Sequence, residues 1–133
     1  MKEFLWPVRV YYEDTDSGGV VYYANYLKFM ERARTEWLRA FGIEQDELIR
    51  ESGVLFAVRS VQVDYLLPAR FNDQLLVSLS VVKKGKASLQ FKQCVYRQQD
   101  NTPLCEAVVK IASLNAESFR ACAIPEALIT IIK

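Results

Sequence analysis

Between residues 25 and 41, apolar side chains recur every three or four positions, which is the spacing of one face of an α-helix. Charged side chains fill much of the opposite face. Asn25 is a candidate N-cap, and Gly42 is placed to end the helix. The pattern predicts a helix of about seventeen residues, about 25 Å long. A shorter amphipathic segment at residues 45–51 ends near Gly53.

After Gly53 the apolar period changes from 3.6 to 2, which is typical of strands with one buried face. Residues 4–12 read as an earlier strand, with Pro7 at an edge or a bulge. The predicted order is a strand, the long helix and then about four strands in an antiparallel meander: 61–65, 75–81, 89–96 and 104–114. A curved antiparallel sheet would cover the apolar face of the helix. The sequence therefore predicts one α+β domain over residues 1–133.

Composition places the chain among globular proteins, with 51% hydrophobic and 25% charged residues among 133. Seventeen basic and sixteen acidic residues give a net charge of +1, so charge does not point to nucleic acid or membrane partners. No signal peptide and no apolar run long enough for an integral membrane segment are visible, and a cytoplasmic location is expected. The cysteines at 94, 105 and 122 lack metal-binding spacing, so buried reduced thiols are expected.

The chain contains no histidine. Ser-His-Asp and Cys-His nucleophilic sites need an imidazole base, and zinc hydrolases usually need imidazole ligands. An enzyme with this sequence must therefore use carboxylates, hydroxyls, lysines or backbone dipoles. We expect neither a metal ion nor any other cofactor.

The stretch YEDTDSGGVVYYANYL, residues 12–27, concentrates the candidate chemistry. Gly18 and Gly19 allow a ligand to approach the backbone closely. The helix start that follows exposes unpaired N–H groups, which favour an oxygen that acquires negative charge. A carboxylate from Asp14 or Asp16 beside such a helix start is a minimal arrangement for acyl-transfer hydrolysis. Spacing alone leaves open that the acids and glycines only form a turn and caps.

Residues 9–39, RVYYEDTDSGGVVYYANYLKFMERARTEWLR, resemble the signature segment of the hotdog-fold acyl-CoA thioesterases. The resemblance is to the 4-hydroxybenzoyl-CoA thioesterase family, and within it to the YbgC-type proteins associated with the Tol–Pal envelope system. The segment VQVDYLLPARFND, residues 61–73, is also similar to that family. The resemblance implies a hotdog fold, in which a curved antiparallel sheet wraps a long central helix, and implies hydrolysis of an acyl-CoA.

The resemblance also implies roles for individual residues. Asp16 falls at the position of the catalytic carboxylate, as nucleophile or general base. Tyr23 falls where many YbgC-type proteins have histidine, and its backbone N–H would polarise the thioester carbonyl. Tyr12 matches a tyrosine implicated in some YbgC-type sites. Gly18 and Gly19 would border the substrate.

Other charged residues have structural interpretations beside functional ones. Asp14 is expected to orient the loop. Glu31 and Arg34 are expected to form a solvated or packed pair on the helix. Lys84 and Lys86, in a predicted hairpin turn, could bind the phosphates of CoA, but charged hairpin tips also serve solubility.

Two functions of different classes remain open from the sequence. The first is an acyl-CoA or acyl-carrier-protein thioesterase. The second is a non-catalytic hotdog module that binds acyl carrier protein or a lipid-synthesis partner. The family resemblance further implies a homodimer or homotetramer with the site between subunits, and an edge strand able to pair with a second copy agrees with this.

Overall fold

The computed structural model describes residues 3–132. The chain forms a five-stranded antiparallel sheet and three α-helices, with a short 3-10 turn at Tyr12–Asp14. The elements follow the order β1 (Phe4–Arg9), α1 (Asn25–Ala40), α2 (Gln45–Ser52), β2 (Val54–Tyr65), β3 (Gln74–Lys84), β4 (Ser88–Arg97), β5 (Thr102–Asn115) and α3 (Glu126–Ile132). The α+β prediction is confirmed. The sequence patterns did not reveal α3, and β1 ends three residues earlier than predicted because the 3-10 turn follows it.

The order of strands in the sheet is β1-β3-β4-β5-β2, and every neighbouring pair is antiparallel. Only β3, β4 and β5 form a meander, so the prediction of a four-strand meander is wrong for β2. The reason is that β1 occupies the outer edge of β3, from Phe4 opposite Leu79 to Arg9 opposite Gln74. The remaining edge belongs to β5, and β2 pairs there. Pro7 lies in β1, an edge strand, as predicted.

Three strand pairs shift register along their length, at Val58/Ser60, Val81/Lys83 and Val95/Tyr96. Such bulges bend a strand and increase its twist. They provide the curvature that a sheet needs to wrap a helix.

The buried face of α1 packs on this sheet and forms the centre of the core. Trp37 meets Phe91 of β4 edge to face, with ring centroids 5.4 Å apart. Gly42 follows the helix at φ +79°, a conformation that favours glycine, as predicted for the helix end. Asn25 is not the N-cap, because Ala24 holds that position and Asn25 already lies in the first helical turn.

The three cysteines are free thiols, as expected. Cys94 and Cys105 are buried, and burial raises the pKa of the Cys105 thiol to about 12. Cys122 is only half-buried, because it lies in the segment between β5 and α3 rather than in a central strand.

Candidate active site

The segment between β1 and α1 folds back on itself as a narrow loop. Thr15 pairs with Val21 as an isolated antiparallel bridge, and the Asp16 N–H donates to the Val20 carbonyl at 2.9 Å. The Val21 N–H donates to the Ala69 carbonyl at 2.9 Å, which fastens the loop to the segment after β2. Gly19, at the turn, has φ +78°, which a residue with a side chain adopts only with strain. The backbone conformation at the loop tip is therefore fixed by these contacts.

Asp14 holds the loop to the helix. It is only 8% exposed, and its two carboxylate oxygens accept hydrogen bonds from different partners. Oδ2 accepts from the Tyr11 N–H at 2.8 Å, and Oδ1 accepts from the Asn25 side-chain amide at 3.1 Å. The prediction that Asp14 orients the loop is confirmed. Asn25 donates its side chain to Asp14 instead of capping the helix.

Asp16 lies two residues further on and is exposed. Its Oδ1 accepts a hydrogen bond from the Gly18 N–H at 2.8 Å. Within residues 3–132 its Oδ2 has no hydrogen-bond or ion-pair partner. A Cβ at position 18 would stand 3.2 Å from Oδ1, so a glycine at this position relieves crowding against the carboxylate. One oxygen of Asp16 is thus oriented, and the other is open to a substrate.

Tyr23 lies one residue before Ala24, the N-cap of α1. Among the described residues, no acceptor is found for its backbone N–H. Its carbonyl accepts a hydrogen bond from the Tyr65 hydroxyl at 3.0 Å. The Tyr23 ring is 61% exposed and lies against Tyr22 and Tyr65, with centroids 4.9 and 6.0 Å away. Partial burial raises the pKa of the Tyr65 hydroxyl, which therefore stays a donor at neutral pH.

A cleft of about 260 Å³ opens beside Tyr23, between the helix start and the end of β2. Tyr26 lines this cleft, and its hydroxyl accepts a hydrogen bond from the Ala69 N–H at 2.9 Å. Sequence reasoning missed the contribution of β2 to this site. The available signal was the run YLLP before Ala69, because an apolar run is unusual at the exposed end of an edge strand. The lining residues are Val21, Tyr23, Tyr26, Tyr65, Leu66, Leu67 and Pro68.

Tyr12 is 80% exposed, and its ring packs against the ring of Phe71, with ring centroids 5.6 Å apart. In the part of the chain that the structure describes, its hydroxyl makes no hydrogen bond to Asp16. Its backbone carbonyl instead accepts from the N–H and hydroxyl of Thr15, at 3.1 and 2.7 Å. The structure therefore gives Tyr12 a place in the loop but no contact with the candidate carboxylate.

Lys84 and Lys86 lie at the other end of the sheet. The loop leaves β1 opposite Gln74, at the start of β3, whereas Lys84 ends that strand ten residues later. Ten residues of strand span about 33 Å. A single chain therefore does not bring these lysines to its own Asp16. With a site between subunits, their binding of CoA phosphates stays a prediction. The pattern of the sequence could not show which end of a strand faces the loop.

Arg34 points away from the predicted pair with Glu31. Its guanidinium donates to the Gln93 side-chain oxygen at 2.8 Å, and Gln93 in turn donates to the Met30 carbonyl at 3.0 Å. The ion pairs found among residues 3–132 do not join Arg34 to Glu31. Burial lowers the pKa of Arg34, and the Glu31 charge opposes that shift. A helix-face pattern shows spacing along the helix, but not which strand residue lies opposite.

Comparison with known proteins identifies the class. The family model of the thioesterase superfamily matches residues 18–104. That match begins two residues after Asp16. A 1,4-dihydroxy-2-naphthoyl-CoA thioesterase from Synechocystis superposes with a TM-score of 0.92 at 21% identity, covering 98% of this chain and 96% of that one. The hotdog-fold prediction is confirmed.

Two curated relatives are closer in sequence. An acyl-CoA thioester hydrolase, YbgC, from Escherichia coli O6:H1 is 42% identical over 98% of this chain and 96% of its own length. The acyl-CoA thioesterase YbgC of Haemophilus influenzae is 42% identical over 92% of this chain and 89% of its own. The chain therefore belongs to the thioesterase superfamily, and within it to the YbgC acyl-CoA thioesterases. Of the helices described, none is long and apolar enough to cross a membrane.

Proposed function

We propose that this protein hydrolyses acyl-CoA thioesters to the free acid and CoA. The observation that carries the proposal is the position of Asp16, whose carboxylate has one oxygen oriented by Gly18 and one open oxygen, on a loop that leads directly into α1. The relatives that share 42% of its residues support the reaction class, since both are named as acyl-CoA thioester hydrolases.

Asp16 acts on the thioester carbonyl carbon in one of two ways. As a nucleophile, its open oxygen bonds to that carbon and the C–S bond breaks, which leaves an acyl-aspartyl anhydride and the CoA thiolate. Water then hydrolyses the anhydride, and its proton balances the thiolate. As a general base, Asp16 takes a proton from a water that attacks the same carbon. Both routes give the carbonyl oxygen negative charge, which the Tyr23 N–H and the positive end of α1 stabilise.

Isotope labelling distinguishes the two routes. In water enriched with oxygen-18, a single turnover through the anhydride places the label in the Asp16 carboxylate when water attacks the aspartyl carbonyl, and in the released acid when water attacks the acyl carbonyl. A general-base route places the label in the released acid alone. Mass spectrometry of the peptide that contains Asp16 gives the answer. Label in that peptide would establish the nucleophilic route, since a general base never exchanges its oxygens with the attacking water.

A non-catalytic module is the second candidate. The observation in its favour is Tyr23, which stands where many YbgC-type proteins have histidine, so no imidazole is available to the site. The purified protein is incubated with a panel of acyl-CoAs and acyl carrier protein thioesters, and a thiol reagent detects release. Binding of these thioesters without any thiol release would establish the module and refute hydrolysis.

We further propose that two copies pair through β2. Among residues 3–132, this twelve-residue strand has only β5 as a neighbour, and it exposes Val58 and Val61. A long, partly apolar edge is a template for a second strand. Val61→Lys should weaken the dimer in sedimentation, whereas Leu5→Lys on the opposite edge strand should not. Sedimentation of the unmodified protein as a monomer of about 15 kDa at micromolar concentration would contradict the pairing.

A further inference from the structure

Three short extended segments lie side by side around the candidate carboxylate. Thr15 is opposite Val21 in one antiparallel bridge, and Val20 is opposite Arg70 in a second. The Asp16 N–H donates to the Val20 carbonyl at 2.9 Å, so Asp16 continues the first pairing. Asp16, Val20 and Arg70 therefore form one row across three neighbouring segments.

The two faces of this small ladder differ in character. Side chains of residues directly opposite each other in adjacent strands point to the same face, and neighbours along a strand point to opposite faces. Val21 and Ala69 are buried on the inner face, where Val21 lines the apolar cleft beside Tyr23. Asp16 and Arg70 are exposed and lie on the outer face. A thioester at Asp16 therefore has an apolar side for its acyl group and a polar side for the rest of the molecule.

The backbone of Arg70 is fixed, whereas its side chain has no partner within residues 3–132. The Arg70 N–H donates to the Asp73 carboxylate at 2.9 Å, and the Asp73 N–H donates to the Arg70 carbonyl at 3.1 Å. The Arg70 guanidinium makes no hydrogen bond or ion pair with any described residue. Asp73, the acid of this turn, is itself paired with Arg97 at 3.7 Å. The Arg70 guanidinium is therefore available to an anion that approaches from solvent.

A second guanidinium lies at the same turn. Arg9 Nη1 donates to the Asn72 side-chain oxygen at 3.2 Å, and Asn72 is the third residue of the turn from Arg70 to Asp73. Asn72 has φ +72°, as the third residue of a type II turn requires. Neither Arg9 nor Arg70 has an ion-pair partner in the described part of the chain. Two such guanidinium groups at one turn favour an anion with several acceptor oxygens, such as a phosphate.

The distance from Asp16 selects the phosphate that reaches Arg70. Adjacent strands lie about 4.8 Å apart, so the Cα atoms of Asp16 and Arg70 are about 10 Å apart across the row. An extended arginine side chain adds about 7 Å, at about 1.25 Å per bond. The phosphopantetheine arm has about fourteen bonds between the thioester carbon and its phosphorus, which span about 17 Å when extended. The phosphate at the end of that arm therefore falls within reach of the Arg70 guanidinium.

We propose that Arg70 binds the phosphate of the phosphopantetheine arm, the group that joins this arm to the nucleotide in CoA and to the protein in an acyl carrier protein. Arg9 adds a second positive charge beside the same phosphate. The assignment rests on the proposed thioesterase function, which places the thioester at Asp16. Because both carriers share this phosphate, a site that recognises it accepts either carrier. CoA has further phosphate groups, so the prediction for Lys84 and Lys86 is unaffected.

Truncated thioesters give the first test. One acyl group is presented on CoA, on phosphopantetheine and on pantetheine, which lacks the phosphate. Arg70→Met should raise KM for the first two by about 3- to 30-fold with kcat unchanged, as expected for a charge-assisted hydrogen bond weakened by solvent. KM for the pantetheine thioester should change less than about twofold, because no charged group of that substrate reaches position 70.

Arg50→Met is the matched control for this test. Arg50 is an exposed arginine of α2 without an ion pair among the residues described, so its loss should leave all three KM values unchanged. Arg70→Lys should give intermediate values, since lysine keeps the charge but not the planar pair of donors. Equal increases in KM for thioesters with and without the phosphate would overturn the assignment. An Arg70→Met variant with unchanged KM for all three thioesters would overturn it too.

Binding without turnover gives the second test and separates this inference from the proposed function. Isothermal titration calorimetry compares phosphopantetheine with pantetheine, neither of which is a thioester. Phosphopantetheine should bind the unmodified protein more tightly, and Arg70→Met should remove most of that difference. If this holds but no thioester is hydrolysed, the phosphate site stands and the enzyme proposal fails. If thioesters are hydrolysed but the two probes bind alike, or phosphopantetheine does not bind, the phosphate site alone is refuted.

Discussion

Asp14 and Asp16 are the same residue type, two positions apart in one loop, yet their surroundings differ in every respect that bears on chemistry. Asp14 is buried, and both of its oxygens accept hydrogen bonds from the loop and the helix. Asp16 is exposed, and one oxygen has no partner among the described residues. The first carboxylate is fully used by the fold. The second is oriented by the fold and left open.

This difference separates structural from reactive carboxylates more sharply than sequence does. A carboxylate whose oxygens are all occupied cannot attack a carbon or take a proton without breaking the loop. A carboxylate with one fixed and one open oxygen is already positioned for either step. The contrast predicts that substitutions at position 14 act on stability and that substitutions at position 16 act on rate.

Asp16→Asn should have the largest effect on rate. The amide keeps the oxygen that accepts from the Gly18 N–H, so the loop should fold as before. It cannot serve as a base and is a poor nucleophile. A loss of about 4 kcal/mol of transition-state stabilisation lowers kcat/KM about a thousandfold. Steady-state kinetics with the best acyl-CoA measure the loss, and circular dichroism checks the fold. A variant that kept more than about a tenth of the activity would remove Asp16 from the reaction.

Asp14→Asn should act mainly on stability. One amide oxygen can still accept a hydrogen bond, but the amide nitrogen would face a donor, either the Tyr11 N–H or the Asn25 side chain. A buried donor left unpaired lowers the free energy of unfolding by about 1 to 3 kcal/mol. Denaturant unfolding measures this change. Kinetics well below the unfolding midpoint should show a smaller loss of kcat/KM than in Asp16→Asn. Equal losses of rate in the two variants would mean that both acids only shape the loop.

The two loop glycines extend the contrast at a smaller scale. In Gly18→Ala, the new Cβ would lie 3.2 Å from Asp16 Oδ1 and displace the carboxylate by a few tenths of an ångström. We expect kcat/KM to fall severalfold with little change in stability, since small misplacements of a reacting group lower rates. In Gly19→Ala, no atom of the described part of the chain lies within 4 Å of the new Cβ, but φ +78° costs about 1 to 2 kcal/mol. Thermal unfolding and kinetics of both variants are compared. A loss of stability in Gly18→Ala together with a loss of kcat/KM in Gly19→Ala would contradict both expectations.

The sequence predicted those features that depend on local spacing. The position of α1, its end at Gly42 and the segments that become β3, β4 and β5 all follow from periodicity and turn residues. Asp14 and Asp16 were singled out by their place before a helix. The resemblance to a known family supplied the hotdog architecture and the choice of Asp16.

Features that depend on which elements meet in space could not be predicted in this way. β2 pairs with β5 because β1 already occupies the edge of β3. The spacing of apolar residues along the sequence carries no information on this pairing. Arg34 was assigned to Glu31 because the two are neighbours on the helix, yet its hydrogen-bond partner, Gln93, comes from a strand fifty-nine residues away. The contribution of Tyr65 to the site depends in the same way on where β2 ends relative to α1.

Tyr23→Phe should have the smallest effect of these substitutions, and it tests what the helix start contributes. The substitution keeps the backbone N–H and the carbonyl that accepts from the Tyr65 hydroxyl, so the peptide at the helix start remains fixed. It removes only a hydroxyl on a ring that is 61% exposed. If the backbone N–H stabilises the oxyanion, kcat/KM should fall less than about threefold, because the donor that matters survives. Tyr65→Phe is the matched control, because it leaves Tyr23 intact but removes the hydrogen bond to the Tyr23 carbonyl. A larger loss of kcat/KM in Tyr65→Phe than in Tyr23→Phe would show that the orientation of the Tyr23 peptide matters more than the Tyr23 hydroxyl. A loss of about a hundredfold or more in Tyr23→Phe would instead show that the phenol hydroxyl takes part in the reaction. Asp16 would then share the chemistry with a second side chain.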